Sequence, residues 1–567
     1  MLQRLKPHMQ FSLDIVECPH TITATVRSDS LRLTTFHSRR ESNVQVAYPH
    51  RSPRTQRGRR LRSLLAGLTV AAAVTGVGVS APPASAAPAK PLGPTLVKTD
   101  APPTGYAVTF RYQAPAGVDS VQIYGDWFFA QPDNVGDNHA PSQWQPGDTA
   151  ATPWRILPMQ LGADGIWEIT VPLPAGTFRY AFTHDCTDVE ATGCALHDDP
   201  ANRWEVQPQY PSAPGAVRST IYVPGSKKFP TYDNGYQAPV KAHEAGKLES
   251  RRYPSPLSTN PAGVHDIVVY TPHGYDPNRA TPYPTLYLSH GAGDSSIAWT
   301  MQGVAHHIVE NAIKDGVAQP MVVVSTDFNG LPGGNQGYAD ELRNNVIPFV
   351  EQNYHVSTRP EDRAFGGFSA GGSRAFTIMY DNTDLFAYDA AWSIGGPAAS
   401  QAQIDRLKTV PGGLLFGTGR QDGTSAQSLH TRAEALRSAG VEIKEYYVDG
   451  MHTWHVWRPM LDFYLRDVAF RTTTTGLDVT AAPAGNSHNV RLTATAAVGA
   501  VTANVASPTG KVEFYAGDTH LGSAPVKNGV ATFRKAVDRA LLDNPVVARY
   551  PGDKLFNASQ STQVTVD

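Results

Sequence analysis

The chain has 567 residues, of which 41% are hydrophobic, and it carries 48 Lys and Arg against 50 Asp and Glu. This length exceeds one ordinary domain, and the composition suits several globular units rather than a disordered chain. Residues 87–567 alone hold 36 basic and 46 acidic residues, a net charge of −10. That balance argues against a nucleic acid or an anionic membrane surface as partner.

The first segment, residues 1–86, has the features of a leader. Arg59, Arg60 and Arg62 precede an apolar run over 64–79, and the small residues 84–86 follow. This order predicts a signal peptide at about 58–86, and hence a secreted, extracellular protein without a membrane anchor after cleavage. An uncleaved anchor is the alternative, although the apolar run is short for a span. Residues 1–57 are rich in Arg and Ser, and we expect the true start codon to lie downstream of them.

Residues 98–235 show strand patterning that is broken by Pro and Gly turns, which predicts a β-sandwich. The predicted strands are Ala107–Tyr112, Val121–Tyr124, Ile166–Val171 and Thr177–Phe182. The stretches 121–127, 165–176 and 178–182 resemble the early-set immunoglobulin-like modules that are related to carbohydrate-binding family 48. Trp127, Trp154 and Trp167 are candidates for stacking on sugars, and packing in the core is the alternative.

Three cysteines occur in the chain, and Cys18 falls in the predicted leader. Cys186 and Cys194 are expected to pair, since a short disulfide loop suits an oxidising compartment. A metal site that uses His184 and His197 is a poor alternative, because the spacing matches no zinc pattern. We therefore expect no metal at these residues, and we also expect that the chain needs no cofactor.

Residues 263–470 alternate strands with helices, which predicts an α/β domain with a largely parallel sheet, and we place that domain at 236–470. The predicted strands are His265–Thr271, Pro284–Ser289, Met321–Thr326, Ala364–Gly367, Tyr388–Ser393, Leu414–Gly417 and Glu442–Val448. Active sites of such sheets lie at the carboxyl ends of the strands. The polar motifs of this domain follow those strand ends.

The first of these motifs is His290-Gly-Ala-Gly-Asp294, which follows a predicted strand. Flexible backbone of this kind can direct an amide at a developing oxyanion, and Ala292 is the candidate donor. A Gly-rich turn without catalytic duty is the alternative.

The second motif places Ser369 in Gly-x-Ser-x-Gly between a short strand and a helix over 370–380. A serine on this sharp turn needs small neighbours, and Gly367 and Gly371 supply them. The amide of Ala370, the residue after the nucleophile, would be the second oxyanion donor. The pattern alone arises by chance often enough that a plain Gly-rich loop is the alternative.

An acid and a base follow in the order serine, acid, histidine. Asp422 lies in the loop after a buried strand, with a surface turn as the alternative. His452 follows the strand 441–448, and His455 is its rival as base. Such a trio is needed because a serine hydroxyl becomes nucleophilic when an imidazole takes its proton and a carboxylate orients that imidazole.

Residues 255–470 resemble the esterase D family of α/β-hydrolases, in particular its feruloyl esterase branch. The matching motifs are 268–275, 287–291, 365–372, 417–422 and 450–457. The resemblance implies Ser369, Asp422 and His452 as nucleophile, acid and base. The family's Gly-Gly-His reads Gly-Met-His here, and the loop before the acid is longer than usual.

The predicted activity is hydrolysis of carboxylic esters, on feruloyl or acetyl groups of plant polysaccharide. Four tryptophans near the motifs are candidates for an acyl pocket, with packing as the alternative: Trp299, Trp392, Trp454 and Trp457. An acyltransferase or a siderophore-ester hydrolase of the same fold is the second hypothesis. A noncatalytic adhesion protein is the third, and the oligomeric state is not indicated.

The last segment, residues 472–567, follows a Thr run that we interpret as a linker. Its predicted strands are Val490–Ala496, Lys511–Tyr515, Gly529–Phe533 and Val546–Tyr550. They resemble a bacterial immunoglobulin-like repeat, which implies a spacer or adhesion module. The predicted fold is therefore an α/β-hydrolase domain flanked by two all-β modules.

Overall fold

The computed structural model describes residues 90–203, 219–229, 233–484, 486–503 and 505–566. The predicted signal peptide, residues 1–57 and Cys18 lie outside these ranges. Within them, no helix combines the length and the apolar character that crossing a bilayer requires.

The N-terminal module is built from short antiparallel strands. In chain order they are β1 (Gly93–Lys98), β2 (Tyr106–Tyr112), β3 (Val121–Gly125), β4 (Phe129–Ala130), β5 (Thr149–Ala150), β6 (Ile156–Pro158), β7 (Gln160–Leu161), β8 (Trp167–Pro172), β9 (Gly176–His184) and β10 (Ser219–Val223). Two four-stranded sheets result, with orders β1-β2-β8-β7 and β10-β9-β3-β6, and β4 pairs with β5.

The core of this module is aromatic. Phe110 is fully buried, and its ring centroid lies 4.7 Å from that of Tyr180. Trp127 has no exposed surface and packs against both rings. Its interpretation as a sugar platform is therefore wrong, whereas Trp154 and Trp167 are half-buried. A disulfide joins Cys186 to Cys194 after β9.

The central domain contains one eight-stranded sheet and the helices that cover it. Its strands are β11 (Lys247–Thr259), β12 (Ala262–Thr271), β13 (Thr285–Ser289), β14 (Val322–Thr326), β15 (Arg363–Phe368), β16 (Tyr388–Trp392), β17 (Gly413–Gly419) and β18 (Lys444–Val448). Its helices are α1 (Ala298–Met301), α2 (Ala305–Lys314), α3 (Gly334–Glu341), α4 (Ile347–Asn353), α5 (Ala370–Asp381), α6 (Gln401–Leu407), α7 (Ser425–Ser438) and α8 (Trp454–Asp467). A π-helical turn, Leu342–Val346, joins α3 to α4.

The strand order is β11-β12-β14-β13-β15-β16-β17-β18. β11 and β12 are antiparallel to their neighbours, and β13 to β18 are parallel. Side chains of α1, α2 and α8 form the core on one face, and those of α3 to α7 form it on the other. Covering both faces explains why β14 reads as a continuous buried run. The predicted α/β-hydrolase fold is confirmed.

One strand of this sheet was not predicted from the sequence. β11 is a 13-residue edge strand that contains Pro254 and Pro256, and its register shifts between Pro254 and Thr259. Proline cannot donate to a ladder, so an edge strand with a bulge is where a sheet tolerates it.

The C-terminal module has two sheets, with orders β19-β20-β23 and β22-β21-β24-β25. Its strands are β19 (Thr473–Ala484), β20 (Asn486–Ala500), β21 (Lys511–Ala516), β22 (Thr519–Pro525), β23 (Val530–Asp538), β24 (Val546–Tyr550) and β25 (Ser559–Gln560). The interpretation of the Thr run as a linker is wrong for residues 473–475. Those residues begin β19 and pair with residues 498–500, which agrees with the preference of β-branched side chains for strands.

Candidate active site

Ser369 lies in a strained turn between β15 and α5. Its backbone has φ 55° and ψ −118°, a region that non-glycine residues rarely adopt. A Cβ on Gly367 would lie 2.5 Å from Gly371 O, and one on Gly371 would lie 2.5 Å from His290 O. Glycine is therefore required at both positions, because a larger residue would clash with nearby backbone atoms. The turn holds the half-buried Ser369 at the carboxyl end of β15.

Asp422 and His452 lie side by side at the same edge of the sheet. Asp422 follows β17, His452 follows β18, and Nδ1 of the imidazole lies 3.1 and 3.0 Å from the two carboxylate oxygens. An ionised carboxylate only accepts hydrogen bonds, so Nδ1 carries the proton and Nε2 is the basic nitrogen. The His452 side chain is 45% exposed and that of Asp422 is 11% exposed. The imidazole can thus meet a substrate while the carboxylate stays covered.

The environment of Asp422 favours its ionised form. Burial alone would raise the pKa of this carboxyl, but the hydrogen bond and charge of His452 hold the pKa below its usual value. The hydroxyls of Ser393 and Thr418 act in the same direction, and Thr418 donates to Oδ2 at 3.0 Å. The pair is therefore built to stabilise a positive charge on the imidazole.

Ser369 follows β15, which is two strands from the strand before Asp422 and three from the strand before His452. Ser369 N donates to Trp392 O at 2.9 Å, and Ser393 N donates to Gly417 O at 2.9 Å, so the carboxyl ends of β15, β16 and β17 are tied together. In the described part of the chain, the Ser369 hydroxyl makes no hydrogen bond to His452. Catalytic hydrogen bonds of enzymes without substrate are often long or poorly aligned.

The two candidate oxyanion donors follow β13 and β15, which are neighbouring parallel strands that end at this edge. Ala370 is the first residue of α5, and its amide is one of those without a partner inside the helix. Ala292 lies in an exposed turn after β13. The backbone of that turn comes close to β15, since a Cβ on Gly291 would lie 2.5 Å from Phe368 Cε2.

His290 fixes this turn, and the sequence did not single it out. Its ring is fully buried, with Nε2 3.0 Å from Asp327 Oδ1 and Nδ1 2.7 Å from Gly291 O. Burial would raise the pKa of Asp327, but the charge and hydrogen bond of His290 keep that pKa low. The position of this histidine directly after a buried strand was the available signal.

Three of the four tryptophans proposed for an acyl pocket do not line one. Trp299, Trp392 and Trp454 have no exposed surface and pack edge to face around one another. They belong to the core beneath the sheet edge, so the packing alternative is correct for them. Trp457 is also buried, but it touches the site: its ring lies 5.1 Å from that of His452, and its Nε1 donates to Ser393 Oγ at 2.9 Å.

His455, the rival base, faces away from Asp422. Its Nε2 lies 3.0 Å from Asp126 O and 3.5 Å from Asp126 Oδ2, in the N-terminal module. Its ring also contacts Phe178 of β9. The geometry thus favours His452 over His455 as the partner of Asp422.

The N-terminal module also contacts the loop that carries His452. Thr149 Oγ1 donates to Asp449 O at 3.1 Å, and Thr152 N lies 3.5 Å from the sulfur of Met451. A cleft of about 390 Å³ opens between the module and α8. Its aromatic lining residues are Phe129, Phe178, Tyr236, Tyr446 and His455. The cleft lies beside the loop that carries His452, and Ser369 is not among its lining residues.

Groups of three or more His, Cys, Asp and Glu that could hold a metal ion are absent from the described ranges.

Two family models match the chain. Residues 258–468 match the family described as "Putative esterase", and residues 479–567 match "Bacterial Ig-like domain (group 3)". Residues 258–468 are therefore similar to an esterase domain, and residues 479–567 are similar to a bacterial immunoglobulin-like domain. The resemblance of residues 98–235 to carbohydrate-binding family 48 stays a prediction.

Two relatives are similar to part of this chain. Endo-1,4-beta-xylanase Y of Acetivibrio thermocellus is 32% identical over 216 residues, which are 36% of this chain and 17% of that protein. An endo-1,4-beta-xylanase/feruloyl esterase of Xylanibacter ruminicola is 28% identical over 248 residues, 41% of this chain and 33% of that protein. The chain thus spans a third or less of the length of these relatives.

Solved structures that resemble part of the chain include esterases. A mutant feruloyl esterase module from Clostridium thermocellum, complexed with sinapinate, is 26% identical with a TM-score of 0.36, and the match covers 42% of this chain and 93% of that one. The enterobactin esterase FES from Shigella flexneri is 16% identical with a TM-score of 0.40, and the match covers 66% of this chain and 95% of that one.

Proposed function

We propose that this protein is a secreted serine esterase that hydrolyses carboxylic esters, with feruloyl or acetyl esters of plant polysaccharide as its substrates. The observation that carries the proposal is the Asp422–His452 pair at the sheet edge where Ser369 occupies a strained turn. The match of residues 258–468 to an esterase family supports the reaction class. The relative named as a xylanase and feruloyl esterase supports the substrate class.

In the first half of the reaction, Ser369 Oγ attacks the carbonyl carbon of the ester while His452 Nε2 takes the hydroxyl proton. The electron pair of the C=O bond moves onto its oxygen, and the amides of Ala292 and Ala370 bind the oxyanion. His452 then gives its proton to the oxygen of the leaving alcohol as the C–O bond breaks. An acyl group remains on Ser369.

In the second half, water repeats these steps against the acyl-serine. His452 takes a proton from water, the hydroxide oxygen adds to the acyl carbon, and the proton returns to Ser369 Oγ as its bond breaks. The free acid leaves, and no cofactor takes part. Asp422 orients the imidazole throughout and stabilises its cationic form.

Secretion is supported by two features. Residues 58–86 have the order of charges, apolar residues and small residues that is typical of a signal peptide. The Cys186–Cys194 disulfide suits an oxidising compartment.

The test of the activity compares two Ser→Ala variants on a chromogenic short-chain ester. Ser369→Ala should reduce kcat/KM by about 10⁴-fold or more, because the nucleophile is lost. Ser373→Ala makes the same chemical change one helical turn further along α5, where the hydroxyl accepts a hydrogen bond from Asn335. It should retain activity within a few-fold. A Ser369→Ala protein with full activity would refute the assignment.

The substrate class is tested on purified mature protein with feruloylated and acetylated xylan, by analysis of the released acids. The same reactions with an added acceptor sugar separate hydrolysis from acyl transfer. Release of free acid without an acylated acceptor is expected, and transfer to the acceptor would contradict the hydrolase proposal.

A further inference from the structure

A buried polar network joins the N-terminal module to the esterase domain behind the active site. We call it the interface network, and it consists of Asp126, Arg179, Gln302, His455 and Arg458. Asp126 has a fully buried side chain, and its Oδ1 and Oδ2 accept hydrogen bonds from Arg179 N at 2.7 Å and Arg179 Nε at 2.8 Å. Buried charges of this kind are costly unless they are paired, so this geometry is tightly specified.

The network reaches the turn at residues 290–294 through Gln302. We call it the oxyanion turn, because it holds the candidate oxyanion donor Ala292. Arg179 Nη1 donates to Gln302 Oε1 at 2.6 Å, and Gln302 Nε2 donates to Asp294 Oδ1 at 2.7 Å. Asp294 closes the turn that begins at His290, because its amide donates to Gly291 O at 3.3 Å. A side chain of the N-terminal module is therefore two hydrogen bonds from the turn that holds Ala292.

The network reaches the base through Arg458 and His455 on α8. Arg458 is fully buried, and it donates from Nη1 to Thr177 O at 2.6 Å and from Nη2 to Gln302 O at 2.7 Å. His455 contacts Asp126, as described above. α8 begins two residues after His452, so these contacts fix the first turns of the helix that follows the His452 loop.

We propose that the N-terminal module is a positioning element of the active site. In this arrangement Arg179 holds the oxyanion turn through Gln302. Together with Arg458, it fixes the position of that turn relative to α8. This inference rests on the proposed esterase function. Arg179 and Gln302 are positioning residues, since neither is placed at the reacting atoms. A displacement of the reacting groups by about 1 Å lowers the reaction rate on the order of 100-fold.

The central variant is Arg179→Lys, which retains a positive charge beside Asp126 but loses the fork that reaches Gln302. Its matched control is Arg111→Lys. Arg111 is also a buried arginine of this module, and it pairs with Glu168 at 2.9 Å and with Asp164 in the sheet away from the interface. Both variants should lose some thermal stability.

We expect Arg179→Lys to lower kcat about tenfold or more with little change in KM, and Arg111→Lys to leave both within twofold. Gln302→Leu cuts the link to Asp294 while keeping the carbonyl that Arg458 uses, and it should lower kcat similarly. The kcat of the double variant should resemble that of either single variant, because both substitutions break the same path of hydrogen bonds. Wild-type kcat in both single variants, or an equal loss in Arg111→Lys, would overturn the inference.

Hydrogen exchange supplies a readout that does not depend on activity. Amides at 290–294 and 449–453 should exchange faster in Arg179→Lys than in Arg111→Lys or the wild type, because local opening reports the loss of fixing contacts. Unchanged exchange in both segments would overturn the inference. A wild-type protein that hydrolyses no ester would refute the proposed function, and the exchange result would still decide whether the module fixes these loops.

Discussion

Asp389 is a buried carboxyl in the middle of the central sheet. It lies on β16, it has almost no exposed surface, and its Oδ1 has no hydrogen-bond partner among the described residues. Burial raises its pKa well above the usual value. The folded protein therefore holds this proton at pH values at which the unfolded chain, with an ordinary pKa near about 4, has released it.

Asp389→Asn should make the protein less sensitive to rising pH. A carboxyl with a raised folded-state pKa contributes stability below its unfolded pKa, and that stability is lost as the pH rises through the folded pKa. The difference in thermal unfolding midpoint between the variant and the wild type should therefore shift in favour of the variant as the pH rises through the range above about 4, the pKa of the unfolded carboxyl. A difference that stays constant across this range would contradict the expectation.

At the residue scale, sequence reasoning predicted the glycines of the serine motif, because the requirement for a small residue is local there. Gly367 and Gly371 are small because backbone atoms lie where a Cβ would be, and the order of Ser369, Asp422 and His452 follows the order of strand ends. It failed for the tryptophans, since burial depends on side chains that arrive from distant segments. Trp299, for example, is covered by Phe368 and Trp454. The contacts of Arg458 could not be predicted from the sequence, because its hydrogen-bond partners lie 156 and 281 residues away.

At the scale of elements, the approach of α5 to β13 shapes the site. A Cβ on Gly371 would lie 2.6 Å from Ser289 O and 2.5 Å from His290 O, both backbone atoms that cannot move aside cheaply. The first turn of α5 thus packs tightly against the end of β13 and the residue that follows it.

Gly371→Ala should destabilise the protein by about 1–3 kcal/mol, since an added methyl group in a tight contact forces backbone shifts. Ester hydrolysis should fall further than stability alone explains, because the amide of Ala370 moves with the helix. Gly136→Ala is the control, because its Cβ would meet nothing within 4 Å. Denaturant unfolding and kcat of both variants check this, and normal hydrolysis by Gly371→Ala would contradict it.

The strands of the sheet could be predicted because parallel strands that are covered on both faces are apolar along their length, as in Val322–Thr326. β11 could not be, because an edge strand is partly exposed and admits charges and prolines. The start of β19 was missed because a Thr run suits both a linker and a strand, and only its pairing with β20 decides between them.

At the scale of the whole molecule, the two β modules contact the central domain at opposite ends of the strands of its sheet. The N-terminal module lies near the carboxyl ends of the strands, at Asp449 and Gln302. The C-terminal module contacts the other edge: Thr502 Oγ1 lies 2.9 Å from the hydroxyl of Tyr388, the first residue of β16, and donates to Glu361 O at 3.1 Å. Their effects on the active site should therefore differ.

Thr502→Val keeps the shape of the side chain and removes the hydroxyl that joins the C-terminal module to the sheet. We expect a loss of about 1–2 kcal/mol in the free energy of unfolding, because hydrogen-bonding groups are left without partners. The values of kcat and KM should not change, since the contact lies away from the carboxyl ends of the strands. Urea unfolding and ester kinetics measure the two effects, and a fall in kcat without a loss of stability would contradict the expectation.

The guanidinium of Arg458 sets a limit on protein engineering with this chain. It is fully buried, and one of its acceptors, Thr177 O, belongs to the preceding module. A fusion enzyme that received only residues 236–470 would inherit an arginine without that acceptor and with an uncovered surface around it. The unit to transfer is therefore residues 93–470, which begins with β1 and contains both the N-terminal module and the central domain.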